Sequence, residues 1–490
     1  METPAADRVE RLFTDLGVDA DEAVVEATTE QFAAQIDALE PLTTTELVPE
    51  PAPDREWTHP SEEDDPLGAF LARCRLGGDG PLDDLKIGIK DNIAVAGVPM
   101  TCGSPLLEEY EPRTDATVVQ RLLDAGAVIV GKTNMDEFAF GGDRSTMRLR
   151  LARNPHDPER QPGSSSAGSG VAVASGAADA ALGSDTGGSV RFPAAWCGVV
   201  GVKPSRGLVS HHGFVQYAKT LDNVGVLAHD VPTARRVLAA IAGRDPRDER
   251  TSRRNSTGEN LTEAAVELDE IRIGLPEELF GNAPDLDSVV ENRLAELTDA
   301  GATLQSVGIE NYDFWLPAWL GLGVTELSRY LDADGTNTWA LDPGSPDLVE
   351  AMHRVTESAD DLGHPVVSTW ALGRYLSDSV GDALYARAHE ARRRLADGID
   401  AALADVDVLA ATTVPMLPPK WGEGIDDVFG ALSNTGPFNV AGHPAVSIPV
   451  GSIDGLPVCC QFVTRRGDDA TALAIAEAVE AALSVGTTGD

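Results

Sequence analysis

The sequence predicts an α/β protein with a mixed β-sheet core flanked by helices and a small helical region ahead of it. Three observations carry this. Strand-like, helix-like and strand-like runs alternate through 86–130 and again through 271–309; short apolar strands cluster near the end of the chain; and residues 7–39 show helical rather than strand periodicity. At 490 residues and 42% hydrophobic, the chain can bury a large core.

In chain order, Val9, Leu12, Phe13, Val24, Val25, Phe32, Ile36 and Leu39 recur at three- and four-residue spacing, which predicts helix over 7–39. Residues 41–66 are rich in Pro, Thr and acid without a period, and read as a linker. The predicted organisation is a helical region at 1–40, a linker at 41–66 and one large domain over 67–490. Within that domain, Lys86–Lys90 alternates like a strand, 116–126 is amphipathic helix and Ala127–Val130 a short buried strand. The order repeats as a strand at 271–274, a helix through Val289, Leu294 and Leu297, and a strand at 302–309. Strands at 407–411, 445–450 and 458–463 and a helix from Ala470 to Leu483 complete the pattern.

Acidic residues number 79 against 38 basic ones, a formal charge of −41, and only six of the basic residues are lysine: 86, 90, 132, 203, 219 and 420. Such a surface repels phosphate, which argues against nucleic acid and anionic membrane as partners. Acid excess with scarce lysine suits concentrated salt, where charges are screened within ~3 Å at 1 M. The five cysteines form no C-x-x-C and read as small buried apolar side chains. The first residues lack a basic-then-apolar signal, and no run approaches the ~18 apolar residues of a membrane helix. A cytoplasmic protein is expected.

Two motifs invite chemistry. Gly126-Ala-Val-Ile-Val-Gly131-Lys132-Thr133 satisfies the nucleotide P-loop expression, yet a helix precedes it and Ala-Val-Ile-Val is itself the strand, so the required strand–loop–helix context is missing. The second is a pair of small-residue stretches, Pro162–Gly170 and Gly183–Ser189. They flank the apolar run 171–182 and precede Phe192 and Trp196, so they sit inside core sequence rather than in a linker. Small residues there allow close backbone approach to a ligand, and Thr186-Gly187-Gly188-Ser189 offers consecutive accessible amides beside a hydroxyl. No G-x-S-x-G elbow and no H-E-x-x-H occur. By position alone, Lys90 at the end of its strand fits a snorkelling surface lysine better than a base.

The run from Gly163 to Pro204, GSSSAGSGVAVASGAADAALGSDTGGSVRFPAAWCGVVGVKP, closely resembles the signature of the amidase signature family. Lys90-Asp-Asn followed by GVPMTCGS resembles its lysine segment, and GHPAVSIPVG with DGLPVCCQFV its C-terminal strands. The resemblance spans about 68–485 and implies the amidase signature fold and a Ser-Ser-Lys triad. Ser189 takes the nucleophile's place, Ser165 the bridging serine's and Lys90 the base's, with an oxyanion hole from the amides of Thr186, Gly187, Gly188 and Ser189. Ser164 and Ala167 stand where the family commonly has glycine. Ser165 is kept as the bridge because its 24-residue separation from Ser189 matches the family register. The N-terminal helices further resemble the nitrile-pathway acylamide amidases, which implies a homodimer.

A free lysine has a pKa of about 10.4, so a lysine base must be buried to be neutral. The expected function is an amide hydrolase that turns a small-molecule carboxamide into carboxylate and ammonia or amine through a Ser189 acyl-enzyme. No metal or organic cofactor is expected. The alternatives are the A subunit of a glutamine-dependent tRNA amidotransferase, or a catalytically silent amidase-fold binding subunit. For the former, resemblance places Leu432 where that protein carries an acid for glutamine's ammonium, and Arg392 at its carboxylate-binding arginine.

Overall fold

The computed structural model describes residues 4–44, 52–142, 144–253, 259–336, 343–423, 425 and 427–483. The chain forms two compact units, Met1–Pro51 and Ala52–Asp490. The first consists of helices Ala6–Asp15 and Glu22–Thr44, separated at Gly17, whose φ of +71° suits glycine. The stretch read as linker is partly ordered: its first residues finish the second helix, and Trp57–Thr58 form an edge strand, while 45–51 lie outside the described residues.

The second unit is built on a sheet whose strands are β1 Trp57–Thr58, β2 Phe70–Leu76, β3 Lys86–Lys90, β4 Val128–Thr133, β5 Ala180–Asp185, β6 Val200–Lys203, β7 Asn223–Ala228, β8 Arg272–Pro276, β9 Thr303–Val307, β10 Val408–Thr412, β11 Ala445–Ile453 and β12 Leu456–Val463. Their spatial order is β1-β2-β4-β3-β5-β7-β6-β11-β12-β10-β8-β9. The sheet is mixed: β3 runs parallel to β4 and β5, and β8 to β9 and β10, whereas the β5–β7–β6–β11–β12 stretch is antiparallel. Strands β4, β5, β6, β7 and β10 are buried along their whole length, as a sheet covered by helices on both faces requires.

The P-loop match resolves as the sequence context indicated. Helix Thr117–Asp124 leads into β4, and Lys132 is a wholly buried strand residue ion-paired to Asp91 at 3.0 Å. The small residues of 163–170 open helix Ala167–Ala174 onto the sheet. A Cβ on Gly168 would meet the Asn134 amide nitrogen at 2.3 Å and the Ala69 carbonyl at 2.4 Å, so only glycine lets this helix seat. The sheet thereby brings the ends of β3 and β5 under the entry to that helix. No helix among the described residues is long and apolar enough to cross a membrane.

Candidate active site

Lys90 ends β3, and β5 runs beside it with Leu182 opposite Ile89. Ser184, two residues beyond Leu182 near the end of β5, comes within 2.8 Å of Lys90 Nζ. Ser165 and Ser166, at the entry to helix Ala167–Ala174, approach the same nitrogen at 2.7 and 2.9 Å. The Ser164–Ser165 peptide is cis. A neutral amine has two hydrogens and one lone pair, so three hydroxyls match it: two accept and one donates.

Lys90 is fully buried, which overturns the reading of it as a surface lysine. Burial lowers its pKa to about 7, against the pull of the Asp136, Asp222 and Asp185 carboxylates, which favour the ammonium. A substantial neutral fraction therefore exists near neutral pH.

The turn after β5 carries Thr186–Ser189 into helix Arg191–Cys197. Asp185 and Arg191 clamp its two ends with Nε–Oδ2 at 3.1 Å and Nη2–Oδ1 at 3.0 Å, both side chains fully buried. Burial would push the Asp185 carboxyl up, but Arg191 outweighs it and holds the carboxyl below its usual range. Asn439 adds an Nδ2 donor to the same carboxylate at 2.8 Å, and Arg191 reaches on to Gln461 at 3.1 Å, so the buried charges are hydrogen-bonded as well as paired.

Ser189 opens onto a cavity of about 280 Å³ whose apolar walls include Phe140, Phe192, Trp319, Leu372, Phe429 and Leu432. Among the described residues that line it, only Tyr217 is ionisable, and burial pushes that phenol up. Of the residues named from sequence, Lys90 and Ser165 come together and Thr186, Gly187 and Ser189 line the cavity. Leu432 lines it too. Arg392 does not: its Nη2 donates to the Thr220 carbonyl at 3.1 Å and hydroxyl at 2.9 Å. Sequence reasoning gave Ser166 and Ser184 no catalytic role, although both lie within the two small-residue stretches, Pro162–Gly170 and Gly183–Ser189. It also missed Trp319 and Leu372, which come from helices Trp315–Asp332 and His364–Val380 and carry no local motif.

Residues 72–473, most of the chain, match the profile of the Amidase family. The chain belongs to the amidase family. Its relatives include the A subunit of the glutamyl-tRNA(Gln) amidotransferase of Halobacterium salinarum, 43% identical over 84% of this chain and 99% of that one. Among solved structures, it resembles the A subunit of the glutamyl-tRNA(Gln) amidotransferase of Thermotoga maritima, with TM-score 0.68 and 34% identity over 81% of this chain and 82% of that one. It also resembles the peptide amidase of Stenotrophomonas maltophilia, with TM-score 0.71 and 31% identity over 84% of this chain and 85% of that one. The amidase signature α/β fold expected from the sequence is thus the fold observed.

The same comparisons correct the expected function. Relatives matched over nearly their whole length carry the name of one part of an amidotransferase, not of a free small-molecule amide hydrolase, and this overturns that reading. The partner expectation falls with it. Exclusion of nucleic acid rested on the charge of −41, but net charge describes a whole surface, and relatives named as subunits of a tRNA amidotransferase count against the exclusion. The homodimer rested on a likeness to acylamide amidases and loses its basis in the same way.

Proposed function

We propose that this amidase-family enzyme is the A subunit of a glutamine-dependent tRNA amidotransferase, a cytoplasmic component that frees ammonia from a carboxamide for transfer within a larger assembly. The observation that carries the reading is the 43% identity over 99% of the Halobacterium protein. The contact between buried Lys90 and Ser165 supports an active rather than a silent site.

Neutral Lys90 draws a proton from Ser165 as Ser165 takes one from Ser189, and Ser189 attacks the amide carbonyl. The amides of Thr186, Gly187, Gly188 and Ser189 hold the oxyanion. Ser165 returns a proton to the departing ammonia, and water then opens the acyl-enzyme. The apolar chamber suits the methylene stem of the donor.

The test is reconstitution with the partner chains of a haloarchaeal amidotransferase, glutamine, ATP and glutamyl-tRNA in molar KCl. Ammonia release and amidated tRNA that depend on Ser189 are expected. An assembled complex that leaves both glutamine and the tRNA unchanged would overturn the reading.

A further inference from the structure

Four successive carbonyls, from the end of β5 through the turn after it, are held by hydrogen bonds, three of them from side chains elsewhere in the fold. Asn439 Nδ2 donates to the Asp185 carbonyl at 2.9 Å, Trp319 Nε1 to that of Thr186 at 3.0 Å, and the Thr435 hydroxyl to that of Gly187. The fourth, Gly188, accepts from the Phe192 amide at 2.7 Å. In a trans peptide the carbonyl and the following N–H point in opposite directions in one rigid plane. Holding the carbonyls of 185, 186, 187 and 188 therefore fixes the directions of the amides of 186, 187, 188 and 189. Among the described residues, none accepts from the amides of Gly187, Gly188 or Ser189, so three donors stand aimed and unused.

The glycines belong to this arrangement. Gly188 has φ +141°, and a Cβ there would meet the Thr435 hydroxyl at 2.6 Å; a Cβ on Gly187 would meet Trp319 Nε1 at 3.2 Å. A side chain at either position would push away the donor that orients the turn. Thr435 and Asn439 lie four residues apart at the start of helix Gly436–Ala441, which puts both on the face that meets the turn.

We propose that Trp319, Thr435 and Asn439 are positioning residues for the oxyanion amides, a role that rests on Ser189 being the nucleophile. They touch no reacting atom. They preorganise amides that would otherwise have to reorient as charge develops.

The experiment is phosphonylation of the full chain by a fluorophosphonate, in which the Ser189 oxygen bonds to phosphorus, fluoride leaves, and the phosphoryl oxygen occupies the oxyanion position. Thr435→Val removes one hydroxyl with little change of shape. It should slow labelling at least 10-fold and leave the probe's initial binding constant within 2-fold, and Thr435→Ser should restore the rate. Trp319→Phe reports on the neighbouring carbonyl and serves if Thr435→Val fails to fold. Wild-type rates in a folded variant, or a loss that Thr435→Ser does not rescue, would overturn the positioning role. Failure to label wild-type Ser189 would remove the nucleophile itself. Labelling needs neither glutamine nor tRNA, so it stands apart from the amidotransferase test.

Discussion

Lys132 and Asp91 form an ion pair at 3.0 Å in which neither side chain reaches solvent, one strand away from Lys90, which is just as buried but surrounded by serines. The two lysines divide the labour of burial. The Asp91 carboxylate contacts Lys132 Nζ, whereas three serine hydroxyls contact Lys90 Nζ. The difference in partners, not in burial, separates a structural lysine from a candidate base.

The pH dependence of Ser189 acylation follows from this. Lys90 must be neutral to accept a proton, and burial places its pKa at about 7. Acylation should rise tenfold per pH unit below that value and level off above it. Asp136 is the largest charge favouring the ammonium, so Asp136→Asn should move this limb to lower pH. A pH series of fluorophosphonate labelling measures both, and a limb that moves upward in the variant would contradict the assignment.

Ser189→Ala should abolish labelling and turnover. Lys90→Ala should be nearly as damaging, and combining it with Ser189→Ala should cost little more, because groups that act as a unit are not additive. Mass spectrometry of the labelled peptide checks the register: modification of Ser166 or Ser184, both beside Lys90, would reassign the nucleophile.

Breaking the Asp185–Arg191 pair should be costly for the whole fold. Both groups are fully buried, and removal of one strands the other's charge. Arg191→Met should lose about 3–5 kcal/mol of unfolding free energy, read by denaturant melts in high salt. A loss below about 1 kcal/mol would mean that Asn439 and the amides of the turn suffice to hold Asp185.

Salt should stabilise the chain steeply. At 0.01 M the screening length is about 30 Å, so an excess of 41 negative charges opposes the compact state; at 1 M it is about 3 Å. Exposed two-point arginine–carboxylate contacts such as Arg236–Asp84 and Arg272–Asp407 keep their short-range hydrogen bonds there. Melting temperature and labelling rate should both climb from dilute buffer to molar KCl. A flat melting curve would detach the acidic surface from salt tolerance.

The sequence was most legible where local pattern and tertiary role agree. Lys86–Lys90 is a strand with the predicted bounds, and the C-terminal strands and helix fall within a few residues of their predicted places. Lys90 itself was not legible from periodicity, because a lysine at a strand end reads the same exposed or buried; only the family resemblance pointed inward. The cavity walls were invisible for a different reason. Trp319, Leu372 and Phe429 lie far apart along the chain and meet only through packing. Function was misjudged because composition and charge describe the surface as a whole, whereas the distinction between a free hydrolase and one member of an assembly depends on contacts with other chains.

Three of the six lysines, Lys90, Lys132 and Lys203, are wholly interior, which leaves Lys86, Lys219 and Lys420 as the side-chain amines near solvent. Two of these are engaged, Lys219 with Glu249 and Lys420 with Glu159. To an amine-directed acylating reagent the folded chain is therefore almost blank. The interior amines can react only when the structure around them opens, so modification of Lys90, Lys132 and Lys203 reports opening rather than surface chemistry. A short reagent pulse followed by peptide mapping would make these lysines an internal gauge of how often the amidase opens, in brine and as the salt is withdrawn.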